Sequence, residues 1–231
     1  MKTSSAPLVS IVIPAHNGEK YLTEAIQSVL NQNYPRYEIW VLDNGSTDNT
    51  QYIACSFPQV QYQYEEKANT ALARNQGISL AQGEYIAFLD QDDIWVSEKL
   101  TKQVSFLEEQ KDYEAVVSLQ KMYLQPGHTK PHWLKQEFLE KPQSAYLPSA
   151  LLVRRSTFAR TNSFNLSFSL ASDVAWFFKA KHEGIKIGMI EEVLIHRRIH
   201  NKNTSNEYSQ LQKEILSTIH HSLKERRKNH E

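Results

Sequence analysis

The first hundred residues alternate four times between short apolar runs and segments whose apolar residues recur with helical spacing. The predicted strands, each with the helix that follows it, span residues 8–13 and 21–30, 37–42 and 50–56, 60–64 and 70–81, and 84–89 and 98–109. Because successive parallel strands are joined by a helix that packs back on the sheet, this alternation predicts a parallel sheet with helices on both faces. The chain is therefore predicted to be an α/β protein.

Polar residues follow three of these strands, at the point where each strand ends. They are the segments 14–17 (Pro-Ala-His-Asn), 43–48 (Asp-Asn-Gly-Ser-Thr-Asp) and 90–93 (Asp-Gln-Asp-Asp). Ligands of open α/β sheets bind outside the carboxyl ends of the strands. We therefore expect one crevice to collect all three segments.

The segment 90–93 places three carboxylates directly after an apolar run that is predicted to be a buried strand. Two acids separated by one residue offer hard oxygen ligands in a small volume, which suits Mg²⁺ or Mn²⁺ beside a diphosphate better than zinc. The alternative is that these acids cap the next helix, since aspartate is a preferred N-cap residue. The segment alone does not choose between a metal site and a cap.

The composition is that of an ordinary globular protein of 231 residues, with 26 basic and 26 acidic side chains. A net charge of zero gives no overall field that would attract nucleic acid, so no nucleic-acid partner is expected. Cys55 is the only cysteine, which excludes an intrachain disulfide framework and fits a reducing compartment. The sequence shows neither a signal-peptide pattern nor a membrane-spanning run, so we expect a single cytoplasmic domain over residues 1–231.

The second half of the chain is less regular. Four prolines interrupt residues 125–150, and long irregular segments of this kind often form binding loops or lids. We therefore expect residues 125–150 to face a second substrate. The elements predicted after them are a short strand at 150–153, a helix at 173–182 closed by Gly184, and two strands at 186–190 and 193–198.

From residue 207 onward, apolar residues recur at intervals of three and four, which predicts an amphipathic helix that ends in the basic stretch 224–228. The simplest interpretation is a helix packed on the core, with a solvated basic end that suits the helix dipole. The alternatives are a peripheral contact with anionic lipid at the inner face of a membrane and a homodimer interface. The pattern does not choose among the three.

These motifs resemble those of the family 2 glycosyltransferases, which have the GT-A fold. The resemblance is strong over residues 8–110 and looser over 150–205. The matching stretches include VSIVIPAHN at 9–17, SVLNQ at 28–32, DNGSTD at 43–48, ARNQGI at 73–78 and GEYIAFLDQDDIW at 83–95. The resemblance implies a Rossmann-like, nucleotide-sugar-binding sheet flanked by helices in residues 8–110, an acceptor-binding half in 111–205, and a C-terminal helix and basic tail in 206–231.

The resemblance also implies roles for single residues on the donor side. Asp43 would hydrogen-bond the uracil of a UDP-sugar, Asp90 would face the ribose, and Asp92 would bind the Mn²⁺ or Mg²⁺ that bridges the two phosphates. Arg74 would support the nucleotide or its phosphates, although a surface or helix-pairing arginine is the alternative. The residues implied to bind the nucleotide sugar are Pro14, Ala15, Asn17, Asp43, Arg74, Asp90 and Gln91.

In the second half, Asp173 matches the acidic motif whose last carboxylate is the catalytic base of the family. The helix start at Asp173 also suits an ordinary N-cap, and the positive end of the helix is expected to lower the pKa of this aspartate. His200 matches a C-terminal histidine that can ligate the metal, with a hydrogen bond to a phosphate or a loop as the alternative. Two departures from the family are Ser172, where glutamate is commoner, and residues 67–70, where glycine is common.

The implied activity is inverting transfer of a hexosyl or N-acetylhexosaminyl group to a hydroxyl of a glycan, a lipid-linked sugar or a peptide. Asp173 would be the base, and the metal at Asp92 would neutralise charge on the leaving diphosphate. One alternative is a nucleotide-sugar-binding scaffold subunit that has lost transfer activity. The other is a sugar nucleotidylyltransferase, which would be expected to carry a glycine-rich, basic loop that residues 14–19 do not show.

Overall fold

A computed structural model describes residues 6–228 of the chain, and for Tyr208 and residues 220–228 it describes the backbone alone. Within this range the core is one nine-stranded sheet with the strand order β3-β2-β1-β4-β8-β6-β9-β5, and β7 pairs with β6 beside it. The strands are β1 (Val9–Ala15), β2 (Tyr37–Asn44), β3 (Val60–Glu65), β4 (Tyr85–Phe88), β5 (Ile94–Trp95), β6 (Ala115–Leu124), β7 (Gln143–Ser144), β8 (Leu152–Arg154) and β9 (Ile187–Ile199).

Helices flank the sheet, and the first three each follow a strand of the same number. The predicted alternation is confirmed, with boundaries that differ from prediction by at most two residues and with β5 inserted before the fourth helix. The helices are α1 (Leu22–Leu30), α2 (Thr50–Cys55), α3 (Thr70–Leu80), α4 (Lys99–Glu109), α5 (Gln136–Glu140), α6 (Phe158–Thr161), α7 (Ser172–His182) and α8 (Tyr208–Lys228).

The first four strands are parallel, and β1 lies between β2 and β4. All seven residues of β1 are buried, as expected for a strand of a parallel sheet that is covered on both faces. The register sets Ala15 opposite Asp43, and Val12 opposite Phe88. The carboxyl ends of three strands, and the polar segments that follow them, therefore meet at one edge.

The second half extends the same sheet. β8 pairs antiparallel with β4 and β6, and β9 runs parallel to β6. The two strands predicted in this region are one strand, because bulges opposite Ser118 and Leu119 let the exposed residues Glu191 and Glu192 loop outward without ending the pairing. β9 also pairs with β5, which brings the end of β9 beside the acidic segment 90–93.

Two glycines near helix ends have different roles. Gly184 follows α7 with φ of 71°, the left-handed conformation predicted for it. Gly83 lies near the end of α3 but does not adopt that conformation. A Cβ at Gly83 would lie 2.6 Å from the carbonyl oxygen of Leu8 and 2.7 Å from the nitrogen of Ser10, so close approach to β1 explains this glycine.

The predicted C-terminal helix is present as α8 and packs against α7. The side chains of Leu223 and of the basic stretch 224–228 lie outside the described residues. In the described part of the chain, no helix combines the length and the apolar character that crossing a membrane requires.

Candidate active site

A cleft of about 970 Å³ opens at the carboxyl ends of β1, β2 and β4. All three polar segments that follow these strands contribute to its walls, and Pro14 and Ala15 line it from the first of them. A fourth wall comes from residues 200–205, which follow β9. The strand order thus builds a single crevice, and it contains most of the residues predicted to bind the donor.

Two amide side chains fasten the loops of this cleft to one another. The Oε1 atom of Gln91 accepts a hydrogen bond from the main-chain nitrogen of His16 at 2.8 Å, and its Nε2 donates to the His16 carbonyl at 3.0 Å. Asn17 has φ of 49°, a left-handed conformation that asparagine tolerates, and its Oδ1 accepts from the nitrogen of Thr47 at 2.9 Å. Gln91 and Asn17 line the cleft, but their amides hold its loops in place.

Asp43, which was predicted to contact the base, does not line this cleft. Its side chain is 1% exposed, with Oδ1 accepting from the nitrogen of Ser46 at 2.9 Å and Oδ2 from the hydroxyl of Tyr62 at 2.8 Å. Both carboxylate oxygens therefore hold the turn after β2 against β3. The contacts of Asp43 in this structure are structural, and its contact with a base stays a prediction.

Asn44, the next residue, lines the cleft in its place. Its Oδ1 accepts a hydrogen bond from the main-chain nitrogen of Asn69 at 2.5 Å. A main-chain nitrogen can only donate, so this bond fixes the orientation of the amide and identifies its other atom, Nδ2, as a donor. Local sequence does not single out Asn44, since which of the two neighbouring residues faces the cleft depends on the direction of the strand pleat.

Arg74 and Asp90 form an ion pair between α3 and the end of β4, in which the arginine is buried and the aspartate is partly exposed. The distance from Arg74 Nη2 to Asp90 Oδ1 is 2.7 Å, and the arginine side chain is 7% exposed. Within the described residues, Arg74 Nε has no hydrogen-bond partner. Both residues line the cleft and also a neighbouring cavity of about 180 Å³, so the two spaces adjoin at this ion pair.

Asp92 and His200 meet on the wall of the cleft, one from the loop before β5 and the other from the end of β9. His200 Nε2 lies 2.9 Å from Asp92 Oδ2, and Asn203 Nδ2 donates to the same oxygen at 3.0 Å. The imidazole stacks on Tyr21 with 4.8 Å between ring centroids. His196 instead lies in the paired part of β9. The structure therefore brings His200, and not His196, to the carboxylate.

The capping alternative is wrong for Asp93, because the N-cap residue of the next helix is Glu98. α4 begins only at Lys99, and the Asp93 carboxylate is buried and accepts from the nitrogen of Arg198 at 3.2 Å. Burial raises the pKa of Asp93 well above its ordinary value, and the charges of Asp92 and Asp90 raise it further. Arg198, which the sequence did not single out, also donates from Nε to the Asp92 carbonyl at 3.0 Å. It ties the acidic segment to β9.

Asp173 is the second residue of α7 and lines the cavity beside the cleft. Ala171, not Asp173, is the N-cap residue, and Asp173 Oδ1 accepts from the nitrogen of Val174 at 2.8 Å. Burial raises the pKa of Asp173 above its ordinary value, while the Arg74 guanidinium and the Val174 N–H lower it. The predicted lowering by the helix terminus is wrong in net direction, because desolvation disfavours the carboxylate more strongly.

The side chains at Asp92 offer ligand atoms that suit a hard divalent cation, if a bound diphosphate supplies further ligands. No group of three or more His, Cys, Asp or Glu side chains in the described part of the chain could hold an ion by itself. Asp92 and His200 offer one carboxylate and one imidazole, and Mg²⁺ is commonly held by one or two carboxylates together with water and substrate phosphates. The residues present therefore fit Mg²⁺ or Mn²⁺ that binds with a nucleotide.

Some of the curated proteins that are similar to this chain match most of its length, and others match less than half of it. The uncharacterized glycosyltransferase RT0329 of Rickettsia typhi is 30% identical over 213 residues, which are 87% of this chain and 67% of that protein. TuaG of Bacillus subtilis, named for teichuronic acid biosynthesis, is 38% identical over 46% of this chain and 44% of its own length. WfgD of Escherichia coli, a UDP-Glc:α-D-GlcNAc-diphosphoundecaprenol β-1,3-glucosyltransferase, is 40% identical over 43% of this chain and 41% of its own length.

Comparison with solved structures identifies the fold. Residues 1–349 of TarS from S. aureus in complex with UDP superpose with a TM-score of 0.68 at 20% identity, covering 87% of this chain and 62% of that one. The complex of the same protein with UDP-GlcNAc gives a TM-score of 0.69 at 21% identity. The family model described as glycosyl transferase family 2 matches residues 10–181. The chain belongs to glycosyl transferase family 2 and has the GT-A fold.

Proposed function

We propose that this chain is an inverting glycosyltransferase of the hexosyl or N-acetylhexosaminyl type, which transfers a sugar from a UDP-sugar to an acceptor hydroxyl. The observation that carries the proposal is that the cleft adjoins the cavity of Asp173 at the Arg74–Asp90 pair. A donor in the cleft would thus have a half-buried carboxylate beside its sugar end. UDP-Glc in the name of WfgD, and UDP and UDP-GlcNAc bound to TarS, support the choice of donor.

The donor would lie in the cleft with its base toward Asn44 and its ribose toward Asp90. The loops fixed by Gln91 and Asn17 would form the floor of the nucleotide site. Asp92 and His200 would hold Mg²⁺ or Mn²⁺, and such an ion, when bound, neutralises charge on a diphosphate leaving group.

Asp173 would act as the general base of a single displacement. Its carboxylate takes the proton from the acceptor hydroxyl while that oxygen forms a bond to the anomeric carbon. The bond from the same carbon to the diphosphate oxygen breaks on the opposite face, and the electron pair leaves with UDP. The configuration of the anomeric carbon is thereby inverted, and no covalent enzyme intermediate is formed.

The acceptor would be a glycan, a lipid-linked sugar or a peptide. The name of WfgD contains a diphosphoundecaprenol-linked GlcNAc, so a lipid-linked sugar is the first acceptor to test. Because the chain spans less than half the length of TuaG and WfgD, these substrates are proposed from the site and not carried over. A peripheral membrane contact and a homodimer through α8 stay predictions.

A donor screen tests the proposed activity. UDP release is measured from a panel of UDP-sugars with candidate acceptors, in the presence of Mn²⁺ or of a chelator. Metal-dependent release with one sugar supports transfer. Metal-dependent UDP binding with no turnover of any UDP-sugar would favour the scaffold alternative, and release of diphosphate from a nucleoside triphosphate and a sugar phosphate would favour a nucleotidylyltransferase.

A pair of neighbouring variants separates base recognition from folding. We expect Asn44→Asp to weaken UDP binding by about 1 kcal/mol, roughly fivefold, because the side chain keeps an acceptor for the Asn69 nitrogen but loses the donor that would bond the base. Asp43→Asn should instead lower the free energy of unfolding by about 1–3 kcal/mol, since Ser46 or Tyr62 loses its acceptor. Calorimetric titration with UDP and thermal melting measure the two effects. The reverse pattern would return base recognition to Asp43.

The pH dependence of transfer tests the link between Arg74 and Asp173. The Arg74 guanidinium lowers the pKa of the Asp173 carboxyl, so Arg74→Met should move the acid limb of the kcat/KM profile to higher pH. Arg160→Met is the control, because Arg160 pairs with Glu114 at the surface, and it should leave the limb in place. An unmoved acid limb in Arg74→Met would mean that this limb does not report Asp173.

A further inference from the structure

Glu214 of α8 is hydrogen-bonded to the segment that leads into α7. Its carboxylate accepts from the nitrogens of Leu170 at 2.8 Å, Ala171 at 2.9 Å and Ser169 at 3.3 Å, and from the hydroxyl of Ser169 at 2.8 Å. Gln210, one turn earlier in α8, donates to the same carboxylate at 3.1 Å. Three successive main-chain N–H groups thus converge on one acid that lies more than forty residues away in the sequence.

The chemistry of this contact requires an ionised carboxylate. Burial would raise the pKa of Glu214, but the hydrogen bonds from Leu170, Ala171 and Ser169 outweigh it and lower the pKa to about 2. Each of these groups donates, and only a carboxylate presents acceptor atoms on both oxygens. A neutral side chain of the same size could not satisfy all of them.

The segment held in this way sets the position of Asp173. Ala171 is the N-cap residue of α7, and Asp173 follows it within the first turn of that helix. α8 also supplies part of the cavity wall beside Asp173, through Leu211 and Ile215. The same helix therefore anchors the helix start that carries the carboxylate and shapes the space that the carboxylate faces.

We infer that Glu214 is a positioning residue for transfer, which acts by fixing the start of α7 and hence Asp173. The inference rests on the proposed role of Asp173 as the base. Proton transfer needs the base within hydrogen-bond distance of the acceptor hydroxyl, and small displacements of such groups cost large factors in rate. The C-terminal helix is on this account a part of the active site.

The first test compares Glu214→Gln with Glu207→Gln. The amide keeps one acceptor and turns a donor toward main-chain N–H groups, so kcat should fall by about tenfold or more. The affinity for UDP should stay within twofold of wild type and the binding stoichiometry should not change, since none of the residues proposed to hold UDP is among the hydrogen-bond partners of Glu214. Glu207 is exposed just before α8, and its variant should transfer at the wild-type rate. Full kcat in Glu214→Gln, or loss of UDP-binding stoichiometry in parallel with kcat, would overturn the inference.

The second test is a double-mutant cycle with Asp173→Asn. If Glu214 acts through Asp173, adding Glu214→Gln to Asp173→Asn should cause no further loss of the residual rate. An equal further loss of about tenfold would show that Glu214 supports the fold in general, which contradicts the inference. Wild-type kcat in Asp173→Asn alone would instead overturn the proposed base, so the two failures are distinguishable.

Discussion

We expect the Asp173→Asn variant to transfer sugar at least about 100-fold more slowly than wild type while it binds UDP with unchanged affinity. Asparagine keeps the shape of the side chain and can still accept from the nitrogen of Val174, but it cannot take a proton from the acceptor hydroxyl. The change acts beside the cavity and leaves the cleft residues in place. Transfer rates at saturating donor and calorimetric titration with UDP measure the two quantities.

Asp112→Asn is the matched control for this variant. Asp112 forms an ion pair with Lys186, and its side chain is 80% exposed, so the same substitution there should change neither the transfer rate nor the UDP affinity. Transfer at the wild-type rate by Asp173→Asn would show that another group is the base. Loss of UDP binding together with transfer would place Asp173 in the donor site.

The same variant has a predicted effect on stability. Burial raises the pKa of Asp173 in the folded protein, so the ionised carboxylate destabilises the fold at neutral pH, and this cost fades as the pH falls through the folded pKa. Asp173→Asn should therefore melt at the same temperature as wild type or higher at pH 7, and the difference should vanish below about pH 4. If the variant melted well below wild type at pH 7, the ionised Asp173 carboxylate would not be destabilising the folded protein.

We expect Asp92→Asn to weaken metal-dependent binding of UDP by at least about tenfold. Loss even of the outer partners of a metal ligand commonly costs 10- to 100-fold in affinity, and Asp92 is the carboxylate proposed to hold the ion. An asparagine there keeps the size of the side chain but removes the negative charge that Mg²⁺ and Mn²⁺ prefer. Titration with UDP at several Mn²⁺ concentrations measures the effect.

The control for Asp92→Asn is a titration of both proteins in chelator. Without metal, wild type should fall to the affinity of the variant, since the only difference between them is the proposed metal ligand. Equal dependence on Mn²⁺ in the two proteins would mean that the ion binds elsewhere. A deficit that persists in chelator would mean that Asp92 acts on the nucleotide by another route.

Most of the fold could be predicted from local patterns. The alternation of apolar runs with segments of helical periodicity predicted the first four strands and helices to within two residues. This succeeded because both patterns involve only residues that are close together in the chain. It failed at β9, where the exposed Glu191 and Glu192 suggested a gap between two strands. Pairing with β6 keeps the strand continuous there through a bulge, and no local pattern reports such pairing.

The sequence by itself determined that acidic and amide residues follow the parallel strands and that these strand ends share one edge. Only the tertiary structure decided which of two neighbours enters the cleft, placing Asn44 there and Asp43 inside the fold, since that depends on the direction of the strand pleat and on Tyr62 of β3. It also decided that Glu214 holds the start of the helix that carries Asp173. Contacts of this kind join residues far apart in the chain, and they exist only once strand order and helix packing have brought those residues together.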